Sequence, residues 1–85
     1  MKIPVIIKDV NRLPNSINGN PQYKLITNNG VVITPEDSIL GYKHNFESFI
    51  GEDVFIEYEF NKNSQAELIS IEKTDFGGFL QDLDG

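Results

Sequence analysis

Five short segments of this sequence are rich in β-branched and aromatic residues, and turn-forming residues separate them. Their length and composition favour strands, because helices this short are marginal in water. The segments are IPVIIKDV, QYKLIT, VVIT, DVFIEYEF and QAELISIEK. A chain of 85 residues has room for one hydrophobic core, so the five predicted strands must share that core.

The order of the predicted strands narrows the fold. Asn29-Gly30 joins strands two and three and is typical of a type I′ hairpin turn, whose two central residues need positive φ. Two short helices are predicted before strand four, one over residues 34–41 with Thr34 as its cap and one over 45–51. This is the order of the OB-fold, so we predict a mainly β, five-stranded OB-like barrel. An SH3-like barrel and an open β-sheet with a helix are the alternatives.

The last two predicted strands differ in their side-chain alternation. In strand four, one face is apolar (Val54, Ile56, Tyr58, Phe60) and the other carries Asp53, Phe55, Glu57 and Glu59. In strand five the apolar residues change phase after Leu68, because Ile69 and Ile71 fall on the opposite face from Ala66 and Leu68. This change predicts a β-bulge or a strand whose two ends face different layers.

The net charge of −6 is unevenly distributed along the chain. Residues 1–45 hold five basic and three acidic side chains, whereas residues 46–85 hold two basic and ten acidic ones. The total argues against duplex binding, but the mildly basic first half keeps single-stranded nucleic acid as an alternative ligand. For that alternative, phosphate contacts are assigned to Lys8, Arg12, Lys24 and Lys43, and base stacking to Tyr23, Tyr42 and Phe46.

The sequence offers no catalytic or metal site, so we predict a non-enzyme without a cofactor. There is no Cys, His44 is the only histidine, and no Ser lies in a Gly-x-Ser-x-Gly motif. The segment DLDG lacks the other ligands of a calcium loop. No run of residues has the length of a membrane span or the pattern of a signal peptide, so we expect a soluble intracellular protein.

Residues 13–23, LPNSINGNPQY, concentrate turn-forming residues between strands one and two. In an OB-fold this connection borders the ligand cleft. We predict that it contacts a partner through Arg12, Asn15, Asn18, Asn20 and Tyr23. The alternative is an Ω-like loop that uses its polar groups to satisfy its own backbone.

This segment, together with GYKHN, resembles a pattern found in small proteins of phages and prophages. The pattern is Arg-Leu-Pro-x-Ser, then Gly-Asn-Pro-x-Tyr, then Gly-Tyr and Asn. The matching residues are Arg12, Leu13, Pro14, Ser16, Gly19, Asn20, Pro21, Tyr23, Gly41, Tyr42 and Asn45. The resemblance covers residues 12–45 and implies a mobile-element origin, a compact β-fold and the cytoplasm of a bacterial host cell. It implies no catalytic residue.

Residues 75–85 are predicted to be an acidic, amphipathic tail after a barrel domain that covers residues 1–74. Four apolar residues share one helical stripe: Phe76, Phe79, Leu80 and Leu83. Eleven residues with Gly77-Gly78 are too few for a stable isolated helix, so we expect the tail to dock on its own barrel, a partner or a second copy. In composition it is similar to the acidic tails of single-stranded DNA-binding proteins, but it ends in Gly85.

These features predict a non-catalytic phage or mobile-element binding module that is an adaptor or inhibitor of a protein partner. We expect contact through residues 13–23, through Glu57 and Glu59, and through the tail, in competition with the nucleic acid that the partner binds. The alternative is a single-stranded nucleic-acid-binding OB-fold accessory protein with a regulatory tail. A structural role in a virion or replication complex is a third option, and homo-oligomerisation is left open.

Overall fold

The computed structural model describes residues 2–74, which form a small β-barrel. Its strands are β1 (Lys2–Leu13), β2 (Gln22–Thr27), β3 (Gly30–Ile33), β4 (Asp53–Phe60) and β5 (Ala66–Lys73). A single helical turn, α1 (Leu40–Lys43), and a 3₁₀ helix (Phe46–Phe49) lie between β3 and β4. The predicted tail, with Phe76, Phe79, Leu80 and Leu83, lies outside the described residues.

The strands close into a barrel in the order β1-β2-β3-β5-β4. Neighbouring strands are antiparallel except β3 and β5, which run parallel and pair at Ile33 and Glu67. With the short helices between β3 and β4, this arrangement confirms the predicted OB-like barrel.

The first strand joins both halves of the barrel because it pairs with two neighbours. Residues 2–6 pair with β4 and residues 7–13 with β2, and the register shifts between Ile7 and Asp9. An irregularity of this kind bends a strand, so one strand follows two sides of the core. Pro4 lies in the half that pairs only with β4, consistent with the edge position expected for proline.

The predicted bulge in strand five is confirmed. Glu57 pairs with Ser70 and Tyr58 pairs with Leu68, so Ile69 is the extra residue. Leu68 and Ile71 are therefore both buried, although three positions separate them, and Ile69 is exposed.

The hydrophobic core contains side chains from every strand and from the 3₁₀ helix. Phe46 and Phe49 enter the core from that helix, which forms where a helix was predicted, although Asn45 makes no side-chain capping bond. Gly51, at φ +83, ends the segment and donates its N–H to Ile7 O at 2.7 Å. The buried apolar residues are Val5, Ile7, Leu25, Val32, Phe46, Phe49, Val54, Ile56, Leu68 and Ile71.

The helix predicted over residues 34–41 is wrong in position. Thr34 is buried, and its Oγ1 accepts the N–H of Tyr23 at 2.9 Å, so it does not cap a helix. Ser38 N–H donates to Pro35 O at 3.1 Å in a turn, and the helical turn begins only at Leu40. Thr34 was predicted as a helix cap because a threonine hydroxyl can accept a backbone N–H at the start of a helix. Here the hydroxyl accepts a backbone N–H of β2 and so links β2 to the segment that follows β3.

The β2–β3 hairpin is confirmed, but the type I′ turn is wrong. Thr27 pairs with Gly30, which places Asn28 and Asn29 at the centre of the turn, and neither has positive φ. Gly30 supplies the positive φ, at +124, one position later. Thr27 Oγ1 accepts the N–H of Asn29 at 3.0 Å and donates to Gly30 O at 2.7 Å, so the threonine side chain stabilises the turn.

Candidate functional site

The loop of residues 13–23 is closed by its own hydrogen bonds. Ser16 is buried and donates its N–H to Asn20 O at 2.9 Å, while Asn20 N–H donates to Ser16 Oγ at 3.1 Å. Gly19, at φ +81, donates its N–H to Ser16 O at 2.9 Å. These bonds hold the centre of the loop in one conformation before any partner binds, which lowers the entropy cost of binding.

Arg12 clamps the two stems of this loop. Its guanidinium donates to Leu13 O, to Gln22 O at 3.2 Å and to Asn15 Oδ1, and it lies 5.2 Å from the ring centre of Tyr23. Arg12, Asn15 and Tyr23 were predicted to contact a partner. In the structure their side chains contact one another, and the guanidinium of Arg12 links the two ends of the loop.

The loop also packs against the segment that follows β3. Asn18 Nδ2 donates to Asp37 Oδ1 at 3.0 Å, and Asn20 Nδ2 donates to Glu36 O at 2.9 Å. The polar side chains of the loop therefore bind neighbouring protein groups, as the alternative interpretation of this segment expects. Ile17, which sequence reasoning missed, precedes Asn18 and is 94% exposed.

Gly19, Pro21, Gly41 and Tyr42 meet where these two segments touch. Tyr42 donates its hydroxyl to Gly19 O at 2.9 Å. A Cβ added at Gly41 would overlap Pro21 O and lie 2.9 Å from Pro21 Cβ, so only glycine fits there. These contacts hold the two segments together.

The residues assigned to nucleic acid differ in exposure. Phe46 is 0% exposed, so its prediction as a stacking platform is wrong; it packs on Tyr23 with ring centres 5.1 Å apart. Lys24 is partly buried and pairs in register with the uncharged residues Asn11 and Ile33. The exposed residues of the set are Lys8, Arg12, Tyr42 and Lys43.

A polar cleft of about 550 Å³ lies between the β1–β2 and β4–β5 connections, the region in which OB-folds bind oligonucleotides. Its charged lining is Glu36, Asp37 and Glu67 with one cation, Lys62. Three carboxylates against one ammonium group repel a phosphate backbone. The cleft is thus electrostatically unsuited to single-stranded nucleic acid.

Carboxylates concentrate on the outer surface of β4 and β5. Val54 and Ile56 point into the core, so the alternate residues of β4 point outward. Glu57 accepts from Ser70 Oγ at 3.4 Å, and Glu59 lies directly opposite Glu67 in the register. We call this surface the acidic face: Asp53, Glu57, Glu59, Glu67 and Glu72. Glu57 and Glu59 were predicted as partner contacts, and Asp53 was predicted on the same face of β4. Glu67 and Glu72 join them through strand pairing.

Few positively charged groups within residues 2–74 contact the carboxylates of the acidic face. Lys2 forms an ion pair with Glu72, the one salt bridge found within residues 2–74. Asn61 Nδ2 donates to Glu67 Oε2 at 3.2 Å. Phe55 lies among the carboxylates, with Lys2 Nζ 5.8 Å from its ring centre. The surface therefore combines a partly exposed aromatic ring with carboxylates that are largely free to contact a basic partner.

His44 lies against aromatic rings. Its ring centre is 5.7 Å from that of Phe46 and 5.9 Å from that of Phe49. The part of the chain that the structure describes contains no group of three metal-ligating side chains and no helix long and apolar enough to cross a membrane.

No protein-family model, curated protein or solved structure matches this chain. The OB-like assignment therefore depends on strand order and pairing, and a functional interpretation must depend on the surfaces described above.

Proposed function

We propose that this chain is a non-catalytic binding module of phage or mobile-element origin, an adaptor or inhibitor of a protein partner. The acidic face supports the proposal most directly. It carries five carboxylates, of which only Glu72 has an ion-pair partner within residues 2–74. Such a surface attracts a basic protein surface, speeds association and disfavours acidic partners.

The arrangement of the acidic face is unfavourable for folding. Glu59 and Glu67 lie directly opposite each other on neighbouring strands, and like charges in that position destabilise a sheet. The side chain of Glu59 makes no hydrogen bond or ion pair with any other residue between 2 and 74. A pair that costs stability is better explained by binding than by a contribution to the fold.

The partner surface that suits the acidic face is one that binds nucleic acid. Outward residues of one strand recur every ~7 Å, so β4 presents a row of negative charges to lysine and arginine side chains. A protein that neutralises phosphates with such side chains offers the complementary charge. Occupation of that surface by the acidic face would exclude nucleic acid, which is how the module would inhibit.

The proposal is tested with the full chain as bait in a bacterial lysate. The variant Glu57→Lys/Glu59→Lys reverses two charges of the acidic face, and Glu36→Lys/Glu47→Lys reverses two exposed charges elsewhere. We expect a protein that the wild type and the control retain, that the first variant loses, and that increasing salt releases. Retention of the same proteins by all three baits would contradict the proposal.

Single-stranded nucleic-acid binding is the rival function, and its support is the OB-like fold itself. Burial of Phe46, the loop contacts of Arg12 and the acidic lining of the cleft count against it. Fluorescence polarisation with labelled oligonucleotides at low salt tests it. We expect no binding; saturable binding that is lost on Lys24→Glu but not on Lys73→Glu, an exposed lysine outside the cleft, would favour the rival.

A further inference from the structure

The chain contains two Asn-Gly sequences, Asn18-Gly19 and Asn29-Gly30, and both asparagines are exposed. Asparagine is a thermolabile residue because it can lose its side-chain amide. The loss is fastest before glycine, which has no side chain to shield the backbone nitrogen that attacks the amide. The two sequences are chemically identical, but the structure surrounds them differently.

The reaction proceeds in two steps. The backbone nitrogen of the glycine loses its proton and forms a bond to Cγ of the asparagine, while Nδ2 takes up that proton and leaves as ammonia. Water then opens the resulting succinimide ring at one of its two carbonyls, which gives aspartate or isoaspartate and adds one negative charge. Hydrogen bonds that hold the side-chain amide or the glycine nitrogen away from each other slow the first step.

Both reacting groups of the first sequence are held by hydrogen bonds. Asn18 Nδ2 donates to Asp37 Oδ1 at 3.0 Å, and the backbone N–H of Gly19 donates to Ser16 O at 2.9 Å. Tyr42 donates its hydroxyl to Gly19 O at 2.9 Å on the other side of the same residue. Ring closure at Asn18 therefore requires that at least two hydrogen bonds break.

The side-chain amide of Asn29 has no such restraint. It makes no hydrogen bond with any other residue between 2 and 74, although the backbone N–H of Asn29 donates to Thr27 Oγ1 at 3.0 Å. Gly30 pairs with Thr27 next to the turn, and residues 28–30 are all exposed. Exposed backbone pairs of this kind open locally more readily than those of a buried strand, and opening brings the Gly30 nitrogen within reach of the amide.

We propose that Asn29 is a site of spontaneous deamidation and that loop contacts protect Asn18 from the same reaction. Water is the co-reactant, and the product is aspartate or isoaspartate at position 29. The inference goes beyond the proposed function, because it depends on the β2–β3 turn and not on the acidic face.

Isoaspartate at position 29 would loosen the β2–β3 hairpin. It adds one carbon to the main chain within the turn, so the groups that contact Thr27 Oγ1, the Asn29 N–H and Gly30 O, no longer keep their spacing. Asn28 joins the same turn to β1, because it donates its N–H to Ile6 O at 3.1 Å and accepts the N–H of Ile6 on Oδ1 at 2.9 Å. We therefore expect increased hydrogen exchange in β2, in β3 and at Ile6.

The test incubates the full chain at mildly alkaline pH in heavy-oxygen water, so that only asparagines that react during the incubation acquire the label. Mass spectrometry of proteolytic peptides then gives the rate at each asparagine. We expect Asn29 to react about tenfold faster than Asn18 in the folded chain, and the two to react at similar rates in urea, where the protecting hydrogen bonds are lost. Equal rates in the folded chain, a faster reaction at Asn18, or the same ratio in urea would overturn the inference.

Two variants test the cause and the consequence. Asp37→Ala removes the acceptor of the Asn18 amide and should speed the reaction at Asn18 about fivefold, whereas Glu47→Ala, which removes another exposed carboxylate, should not change it. Equal rates at Asn18 in these two variants would overturn the protection. Asn29→Gln reacts much more slowly because its side chain must close a larger ring, so it should keep the exchange protection of β2 and β3 that the wild type loses during the incubation. Equal loss of protection in Asn29→Gln and the wild type would overturn the consequence.

Discussion

Replacing Glu59 with glutamine should make the folded protein more stable. The substitution keeps the shape of the side chain and removes one charge of the pair formed with Glu67. Side chains opposite each other in an antiparallel pair have Cβ atoms about 4.5–5.5 Å apart, so we take the charges as roughly 6 Å apart. In water their repulsion is then about 0.7 kcal/mol.

The stabilisation expected of Glu59→Gln should decrease as the salt concentration rises, because salt screens the repulsion. With a screening length of about 10 Å the repulsion falls to about 0.4 kcal/mol at 0.1 M salt, and with about 3 Å it falls to about 0.1 kcal/mol at 1 M. The free energy of unfolding of Glu59→Gln should exceed that of the wild type by those amounts. For a domain of this size, 0.4 kcal/mol corresponds to an increase in Tm of about 2–3 °C.

The assay is urea unfolding at both salt concentrations, because urea does not change the ionic strength. Glu47→Gln is the control, since it removes the same charge from an exposed position in the 3₁₀ helix. We expect the control to be neutral or slightly destabilising, because an acid near a helix start is favourable. A loss of stability in Glu59→Gln, or a gain that ignores salt, would refute the repulsion that we assign to the acidic face.

Three further substitutions test the fold and the loop, each measured in the full chain. Gly41→Ala should lower the free energy of unfolding by about 1–3 kcal/mol in urea, because the added Cβ overlaps Pro21; an unchanged midpoint would contradict that contact. Phe46→Ala should lower the free energy of unfolding by about 3–5 kcal/mol, so its circular dichroism spectrum should be that of an unfolded chain. A folded spectrum with the aromatic signal of the wild type would show that Phe46 is not in the core. Arg12→Ala should increase hydrogen exchange at Gly19 with little change in the strands. Equal protection of Gly19 in the variant and the wild type would contradict the role of Arg12 in holding the loop.

Strand order and the bulge were predictable because each leaves a local trace in the sequence. Alternation in β4 and the change of phase around Ile69 come directly from the pleat of a strand, whose side chains alternate whatever the partner. The register between strands leaves no such trace. Glu67 and Glu72 join Glu57 and Glu59 on the acidic face only because β4 and β5 pair as they do.

The roles of loop residues were not predictable because the same donors serve two purposes. The amides of Asn18 and Asn20 suit a partner as well as they suit Asp37 and Glu36, which lie 16 or more positions away in the chain. For Phe46, four helical residues are too few for an apolar stripe to show which side faces inward. In each case the answer depends on tertiary contacts.

The central claim is that the acidic face binds a protein partner. The most direct test is to map where a protein retained from the lysate contacts this chain. Amide resonances of the isotope-labelled full chain are followed by NMR while that partner is added. We predict that the changes concentrate at residues 53–60 and 66–73, the two strands of the acidic face. Changes confined to residues 22–33, on β2 and β3, would contradict the account and point to the ligand-binding face that OB-folds use for nucleic acid.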